Sequence, residues 1–474
     1  MTWPTLMEGD PPSSAWTVEA AASLQPQRSD LVHTIWALAW PVILTFLFES
    51  LVGLIDTLMV GRLGAAAVAA VGVGAQILSA VSVAMTAVGT GTLALVARHI
   101  GAREPAEANQ VLRQSVIAAF GLSVIAIIPV IAFASEIVAL FGVQAAVVEQ
   151  GGAFVQLVML SIPQSAILFV IGSGLRGAGD TRTPLIIGVL VNILNIAGNY
   201  VLIFGKLGLP ALGVRGSALA TTIAFTAGTA LGLLLLARGR LVLQMGWRGV
   251  RLHMGTIRRV LVIGYPAAGE QMIMQIGFFF YLAFAARYGT SAVAAYFIGV
   301  RILAVSFLPG FGFAAAATTL VGQNLGALRP ALAERSGWES NRLAMYLMSV
   351  CGVVIFVAAR PIAASFVDDP SVIRDTVSFI RTLAVAQPLM GIDFTIGGAL
   401  RGAGDTRFPL VAVFVGFYGC RLAFAYLAVL LHLSLPWVWF ALMGDYIARA
   451  VLKTWRFQTG HWKNIAVYGH KNST

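Results

Sequence analysis

The string Leu-Arg-Gly-Ala-Gly-Asp-Thr-Arg occurs twice in this chain, at residues 175–182 and again at 400–407. The copies are 225 residues apart, a little under half of the 474-residue length. An identity of that length at that separation marks an internal repeat. The same offset, without a gap, pairs Pro41 with Pro266, Gly64 with Gly289, Gly101 with Gly326, Phe141 with Phe366 and Pro163 with Pro388. A proline follows the string in both copies, at Pro184 and Pro409. The chain is one unit written twice, so its fold must accommodate two similar bodies.

Those bodies belong in a membrane. Hydrophobic residues make up 58% of the chain and charged residues 11%, against about 25% charged in a soluble domain. Many apolar runs reach the ~20 residues a helix needs to cross the hydrocarbon core. The pattern predicts an all-α membrane protein with twelve spans, near 37–60, 71–97, 115–140, 152–173, 184–205, 212–237, 260–286, 295–321, 341–359, 377–399, 408–431 and 436–456. The net charge of +11 does not point to nucleic acid, because the basic residues sit in the connections between apolar runs, where membrane lipid is the partner. Of the 31 Lys and Arg, seven fall in odd-numbered connections: Arg62, Lys206, Arg215, Arg287, Arg360, Arg374 and Arg381. Arg301 and Arg421 fall inside spans, and the remaining twenty-two lie in the tails and even-numbered connections. The positive side is cytoplasmic, which places both termini inside. Cys351 and Cys420 lie within apolar runs and read as small buried hydrophobes. The polar N-terminal stretch has no apolar signal-peptide core and is expected to be disordered.

The expected organisation is a cytoplasmic tail (1–35), a six-helix lobe (36–237), a basic cytoplasmic linker (238–259), a second six-helix lobe (260–457) and a C-terminal tail (458–474). Six spans per copy is an even number, so both copies start on the same side. The repeats are therefore parallel, related by an axis along the membrane normal, and the substrate path is expected between them. Both Leu-Arg-Gly-Ala-Gly-Asp-Thr-Arg strings then lie at the cytoplasmic face and read as turns. Glycine supplies backbone freedom, Asp180 or Asp405 caps the next helix, and proline suits its first turn. Arg176 and Arg401 are expected at the headgroups.

Charge inside the hydrocarbon is expensive, so an intramembrane carboxylate is a functional candidate. Glu49 and Asp56 in the first span are seven residues apart, on one helical face and about 10 Å apart along the axis. Pro41 lies fifteen residues before Asp56 and is expected to bend the helix. Asn192, Asn195 and Asn199 share a face of the fifth span. They either hold helices together or supply neutral oxygens around a carboxylate, as a monovalent cation or a proton relay requires. Thr221 and Thr222 of the sixth span can join them or simply bond their own helix. Counted from the cytoplasmic end, Asp56 lies about 24 Å deep and Asn195 and Asn199 about 16 and 22 Å, so all three can meet. The second copy has Tyr281, Phe417, Cys420 and Phe424 where the first has Asp56, Asn192, Asn195 and Asn199. Its own intramembrane charges, Glu270, Arg301, Asp393 and Arg421, are expected to pair with one another. Asp445 and Arg449 form an i,i+4 helix pair. The aromatic run from Phe278 to Tyr281 faces either lipid or the cavity, where aromatic rings and acids together hold organic cations.

These residues resemble the multidrug and toxic compound extrusion (MATE) family of cation-coupled antiporters over residues ~35 to 465. The resemblance rests on Trp40-Pro41 with Asp56-Thr57, on the two repeated strings, on Leu194-Asn195 with Asn199-Tyr200, and on the run from Gly213 to Thr221. The segment from Arg456 to Lys463 also matches the family's ending. It implies a V-shaped exporter of the bacterial inner membrane that exchanges small organic, often cationic, compounds for H⁺ or Na⁺, with no cofactor. By the resemblance, Asp56 is the cation-binding acid, with Asn195, Asn199 and Thr221 as partners. Na⁺ at Asp56 would be its only metal. Some members carry an aspartate at the position of Asn199, so the coupling ion stays open between H⁺ and Na⁺. Another branch uses acids where this chain has Met274 and Met390, and that site is not carried over. The substrate cavity is expected to include Glu49, Asn192, Glu270, Phe278 and Tyr281, with Pro41 as hinge, in a monomer.

The alternative is a lipid or glycolipid flippase of the same superfamily. Twelve spans and mostly acidic cavity candidates favour the antiporter. An intramembrane enzyme would need a His cluster, a Cys/His arrangement or metal-ligand spacing, and a channel a ring of filter groups; the sequence displays none of these.

Overall fold

A computed structural model describes residues 28–239, 241–246 and 251–465. The tail before Arg28, Arg240 and Arg248 of the basic linker, and residues from 466 onward lie outside the described residues. The first repeat comprises α1 (Arg28–Gly61), α2 (Ala65–Gly101), α3 (Pro105–Ala132), the short α4 (Ala134–Ala139), α5 (Ala145–Met159), α6 (Ile162–Gly177), α7 (Arg182–Phe204) and α8 (Val214–Ala237). The second comprises α9 (Met254–Ala286), α10 (Thr290–Ser306), α11 (Leu308–Gly326), α12 (Pro330–Val357), the short α13 (Ala359–Ala364) and α14 (Pro370–Gly402). It continues with α15 (Arg407–Phe414), a π-helical segment Val415–Leu422, α16 (Ala423–Leu430) and α17 (Leu435–Gln458). A 3₁₀ turn, His461–Asn464, follows. Among the described residues there is no strand.

Among the described residues nine helices are long and apolar enough to cross a membrane, or ten when α5 and α6 count as one bent span. In that count α10 with α11, and α15 through α16, are single runs. The other two long helices, α9 with 33 residues and α17 with 24, carry Glu270, Gln271 and Gln275 or Asp445, Arg449 and Lys453. Residues 28–35, expected as tail, already belong to α1. Leu31 and Ile35 are buried there in one cluster with Phe313 of α11, and that burial outweighs the polar composition before them.

The repeated turns behave as read. Gly179 and Gly404 hold φ of 91° and 88°, a conformation that a side chain resists. Asp180 accepts the Thr183 amide at 2.9 Å, which caps α7. Its counterpart Asp405 instead takes Nε of Arg456 at 2.7 Å, so the shared string serves two different contacts.

The repeats meet at the end that carries these turns. Gly101 packs against the backbone of Gln323, and Gly326 packs against the backbone of Arg98. Gln323 is one repeat offset beyond Arg98. Residue i therefore meets j while j meets i, which is the signature of a twofold relation. Both α2 and α11 bring their C-terminal ends to this seam. A rotation along the helices does that, whereas an inversion would send the two ends to opposite faces. Thr319 donates to the Arg176 carbonyl at 2.9 Å and Gln323 to the Gly177 carbonyl at 2.9 Å across the same seam. Away from it, each repeat keeps its own apolar core. One is built around Phe154, Val155 and Met159, the other around Tyr281, Phe379 and Trp439. Two separate cores joined at one end is the arrangement of a V.

Candidate functional site

Asp56 stands on the last two turns of α1, half-buried. Asn199 of α7 donates to its Oδ1 at 2.6 Å. Asn195, one turn earlier on α7, fits in two amide orientations. In one, its nitrogen lies 3.1 Å from Thr221 Oγ1 of α8 and its oxygen accepts from Asn199 at 3.2 Å. In the other, its nitrogen lies 3.0 and 3.2 Å from the two Asp56 oxygens and its oxygen takes the Thr221 hydroxyl at 3.1 Å. The second gives an ionised carboxylate two amide donors and is the chemically consistent assignment. Asn195 and Asn199 are buried, and among the described residues the Asn199 carbonyl oxygen accepts no hydrogen bond. The i,i+4 spacing on α7 aims both amides at α1, and the packing of α1 on α7 brings them to Asp56. Asn192 lies outside this hydrogen-bonded set, a further turn away on α7 and half-buried. Thr222 bonds the Leu157 and Ala218 carbonyls instead.

Glu49 faces a separate space. It is exposed, and what it is exposed to is a cavity of about 410 Å³ inside the first repeat. Thr45, Ser165, Phe169, Arg176 and Phe225 also line it. The cavity follows from a break: α5 and α6 meet at Leu160-Ser161 with a bend of 46°, and Ser161 and Ser165 turn their hydroxyls onto the Val158 and Ile162 carbonyls. The corresponding stretch of the second repeat is the continuous α14, running through Pro388.

Arg176 was expected at the headgroups, yet it lines this cavity. Its guanidinium donates to Ser173 Oγ at 3.2 Å and stands 6.0 Å over the Phe169 ring. The repeat offset explains the difference between the halves. Arg401, its counterpart, pairs with Glu270 at 3.1 Å, and Thr45 stands where the first repeat would need that glutamate. The change from Glu270 to Thr45 at the repeat offset is the sequence signal for this difference.

The second repeat's charges pair differently from expectation. Glu270 is 8% exposed and held by Arg401. Asp393 pairs with Lys453 at 2.5 Å and Arg449 at 3.8 Å. Asp445 pairs with Arg449 at 2.5 Å, as its spacing predicts, and also with Arg421 at 2.6 Å. Arg301 is exposed and joins none of these pairs. Lys453, near the end of α17, supplies the partner that the sequence reading missed. The Arg421 guanidinium also stands 4.5 Å over Phe417 and 5.7 Å over both Phe278 and Tyr281. Tyr281, expected to line a cavity, is 1% exposed and gives its hydroxyl to the Val438 carbonyl at 2.7 Å. It is core, because a buried phenol with a carbonyl partner and a neighbouring guanidinium has no reason to face open space. Phe278 is half-buried against the same core.

Pro41 does not interrupt α1, which is helical from Arg28 to Gly61. Its missing N–H leaves the Ala37 carbonyl without its helical donor. Thr181, in the first repeated turn, approaches that carbonyl at 3.5 Å.

A family model described as MatE matches residues 41–201 and again residues 266–427, two segments whose starts are one repeat offset apart. The chain belongs to the MATE family. A probable multidrug resistance protein NorM of Thermotoga maritima is 30% identical over 91% of this chain and 93% of its own length. One of Burkholderia mallei is 30% identical over 94% of this chain and 96% of its own. Among solved structures, an outward-facing multidrug resistance MATE family transporter of the MOP superfamily superposes with a TM-score of 0.84 at 23% identity, covering 92% of this chain and 99% of that one. That likeness concerns the fold, and the MATE fold is a pair of such repeats.

Proposed function

We propose that this MATE protein is a secondary active exporter that exchanges small organic compounds, often cationic, for H⁺ or Na⁺ by alternating access. It works as a monomer with twelve membrane-crossing helices, in the bacterial inner membrane, with both termini cytoplasmic. Asp56 is the coupling acid, Asn195, Asn199 and Thr221 its partners, and the Glu49 cavity the substrate space. The observation that carries the reading is the 2.6 Å bond from Asn199 to Asp56, which ties α1 to α7 through an ionised carboxylate. A proton on Asp56 would turn one acceptor oxygen into a donor and set it against the amide N–H groups. Na⁺ would need the amides to offer oxygens instead, and the unengaged Asn199 oxygen is the first available. Either ion rearranges the α1–α7 contact, so occupancy biases two conformations differently. The NorM names of the relatives support organic substrates.

The test is export of a fluorescent organic cation from proteoliposomes, with Na⁺ and H⁺ gradients imposed separately. Asp56→Asn keeps the side-chain shape and removes the titratable charge. It should abolish gradient-driven export while the protein stays folded; wild-type rates would end the proposal.

A further inference from the structure

On the second repeat, α13 and α14 form an open groove of about 790 Å³. Arg360, Arg374 and Arg381 line it together with the hydroxyl residues Ser378 and Thr382. On α14 the spacing 374, 378, 381 puts these groups on one helical face. All three arginines are exposed. Arg374 has a loose partner in Asp375 at 3.8 Å, and the nearby Asp369 is engaged by Ser371 and Val372 as the cap of α14. Arg360 and Arg381 have no carboxylate partner among the described residues; Arg381 lies instead 5.3 Å over the Phe356 ring.

The groove's depth fixes its surroundings. Arg381 precedes Arg401 by twenty residues of continuous helix, about 30 Å at 1.5 Å per residue. That is the thickness of a hydrocarbon core, so the groove sits at the membrane face opposite the two repeated turns. Val353 and Val357 of α12 and Val385 of α14, one turn beyond Arg381, are exposed apolar side chains. The first repeat lacks the feature. Ser135, Glu149 and Gln156 stand at the positions of Arg360, Arg374 and Arg381, so the scaffold does not require this charge.

We infer that the α13–α14 groove binds the phosphate of a single anionic phospholipid, with its acyl chains along Val353, Val357 and Val385. Three guanidiniums in one groove repel one another unless an anion joins them, and guanidinium forks match phosphate oxygens. The flanking apolar strip selects a phosphate that carries chains over a free one.

The measurement is native mass spectrometry of the full-length protein in neutral detergent, incubated with dioleoyl phosphatidylglycerol or dioleoyl phosphatidylcholine. Wild type should retain phosphatidylglycerol at least about tenfold more than phosphatidylcholine, since even two of the three arginines at about 1 kcal/mol each exceed that ratio. The triple variant Arg360→Gln, Arg374→Gln, Arg381→Gln should bring the ratio near one. Arg287→Gln, an exposed arginine at the same face, should leave it unchanged. If the triple variant does not fold, Arg381→Gln alone should still lower the ratio. Equal retention by wild type and variants overturns the inference. Inorganic phosphate that binds the wild type while the two lipids are retained alike would assign the groove to a free anion and also overturn it.

Discussion

At Asp56 the side chains offer donors to a carboxylate, and at Glu49 the same helix offers a carboxylate to open space. Under the proposed function the two acids therefore divide the work: Asp56 meets the ion, Glu49 meets the substrate. A charged hydrogen bond contributes roughly 1.5–3 kcal/mol, so Glu49→Gln should raise KM for an organic cation by about tenfold or more with kcat little changed. An unchanged KM across several cations would remove Glu49 from the binding role. Much of this site was legible. The shared face of Asn195 and Asn199 and the similar depths of all three side chains already allow them to meet, because helix geometry is local and regular. Arg176 was not legible, because where a long side chain at a helix end points depends on the space beside it, here opened by the break at Leu160-Ser161. Asn192 shared the right helical face, but a hydrogen bond also needs the right height.

At the scale of elements, the repeats differ where helices depart from regularity. The π-helical segment Val415–Leu422 replaces a regular stretch of α7 and carries Arg421. π-helical turns frequently mark functional or strained positions. Here the segment delivers a guanidinium to Asp445, which is fully buried between Arg421 and Arg449. Asp445→Asn would leave both cations without their carboxylate. Breaking a buried pair costs about 3–5 kcal/mol, so the thermal midpoint in detergent should fall by several degrees, and an unchanged midpoint would mean that the network is not structural. The sequence supplied the i,i+4 half of this network and not Arg421 or Lys453, because pairing across helices depends on a packing that spacing alone does not encode. Pro41 works in the opposite sense. Pro41→Ala restores a donor for the Ala37 carbonyl and removes the need for Thr181. We expect slower export with a thermal midpoint at or above wild type, which a simple folding defect would not give. Export at the wild-type rate would show that α1 does not use this position as a hinge.

Across the whole molecule, the repeat was fully legible, since a gapless offset survives in the sequence whatever the side chains do. The seam between repeats was not legible, because Gly101 and Gly326 stand out in the sequence only as a pair matched at the repeat offset, which does not say what either packs against. Their reciprocal contacts with Gln323 and Arg98 make the seam a matched pair of close backbone approaches, with no room for a Cβ on either side. An exporter working by alternating access must open this end in its other conformation. A bulky residue at either glycine should then act as a wedge. Gly101→Leu and Gly326→Leu each overpack the seam, at a cost of about 1–3 kcal/mol to the joined state. The twofold relation predicts that the two variants behave alike, although they lie in different halves of the chain. Thr319, which bridges the seam to Arg176, reports on it: a cysteine placed there by Thr319→Cys should become more reactive to a membrane-impermeant thiol reagent in either wedge background. Cys351 and Cys420 need replacing first to give a clean reading. Export should fall in both variants. Unchanged labelling together with wild-type export would mean that this end does not move, and alternating access would need a different opening.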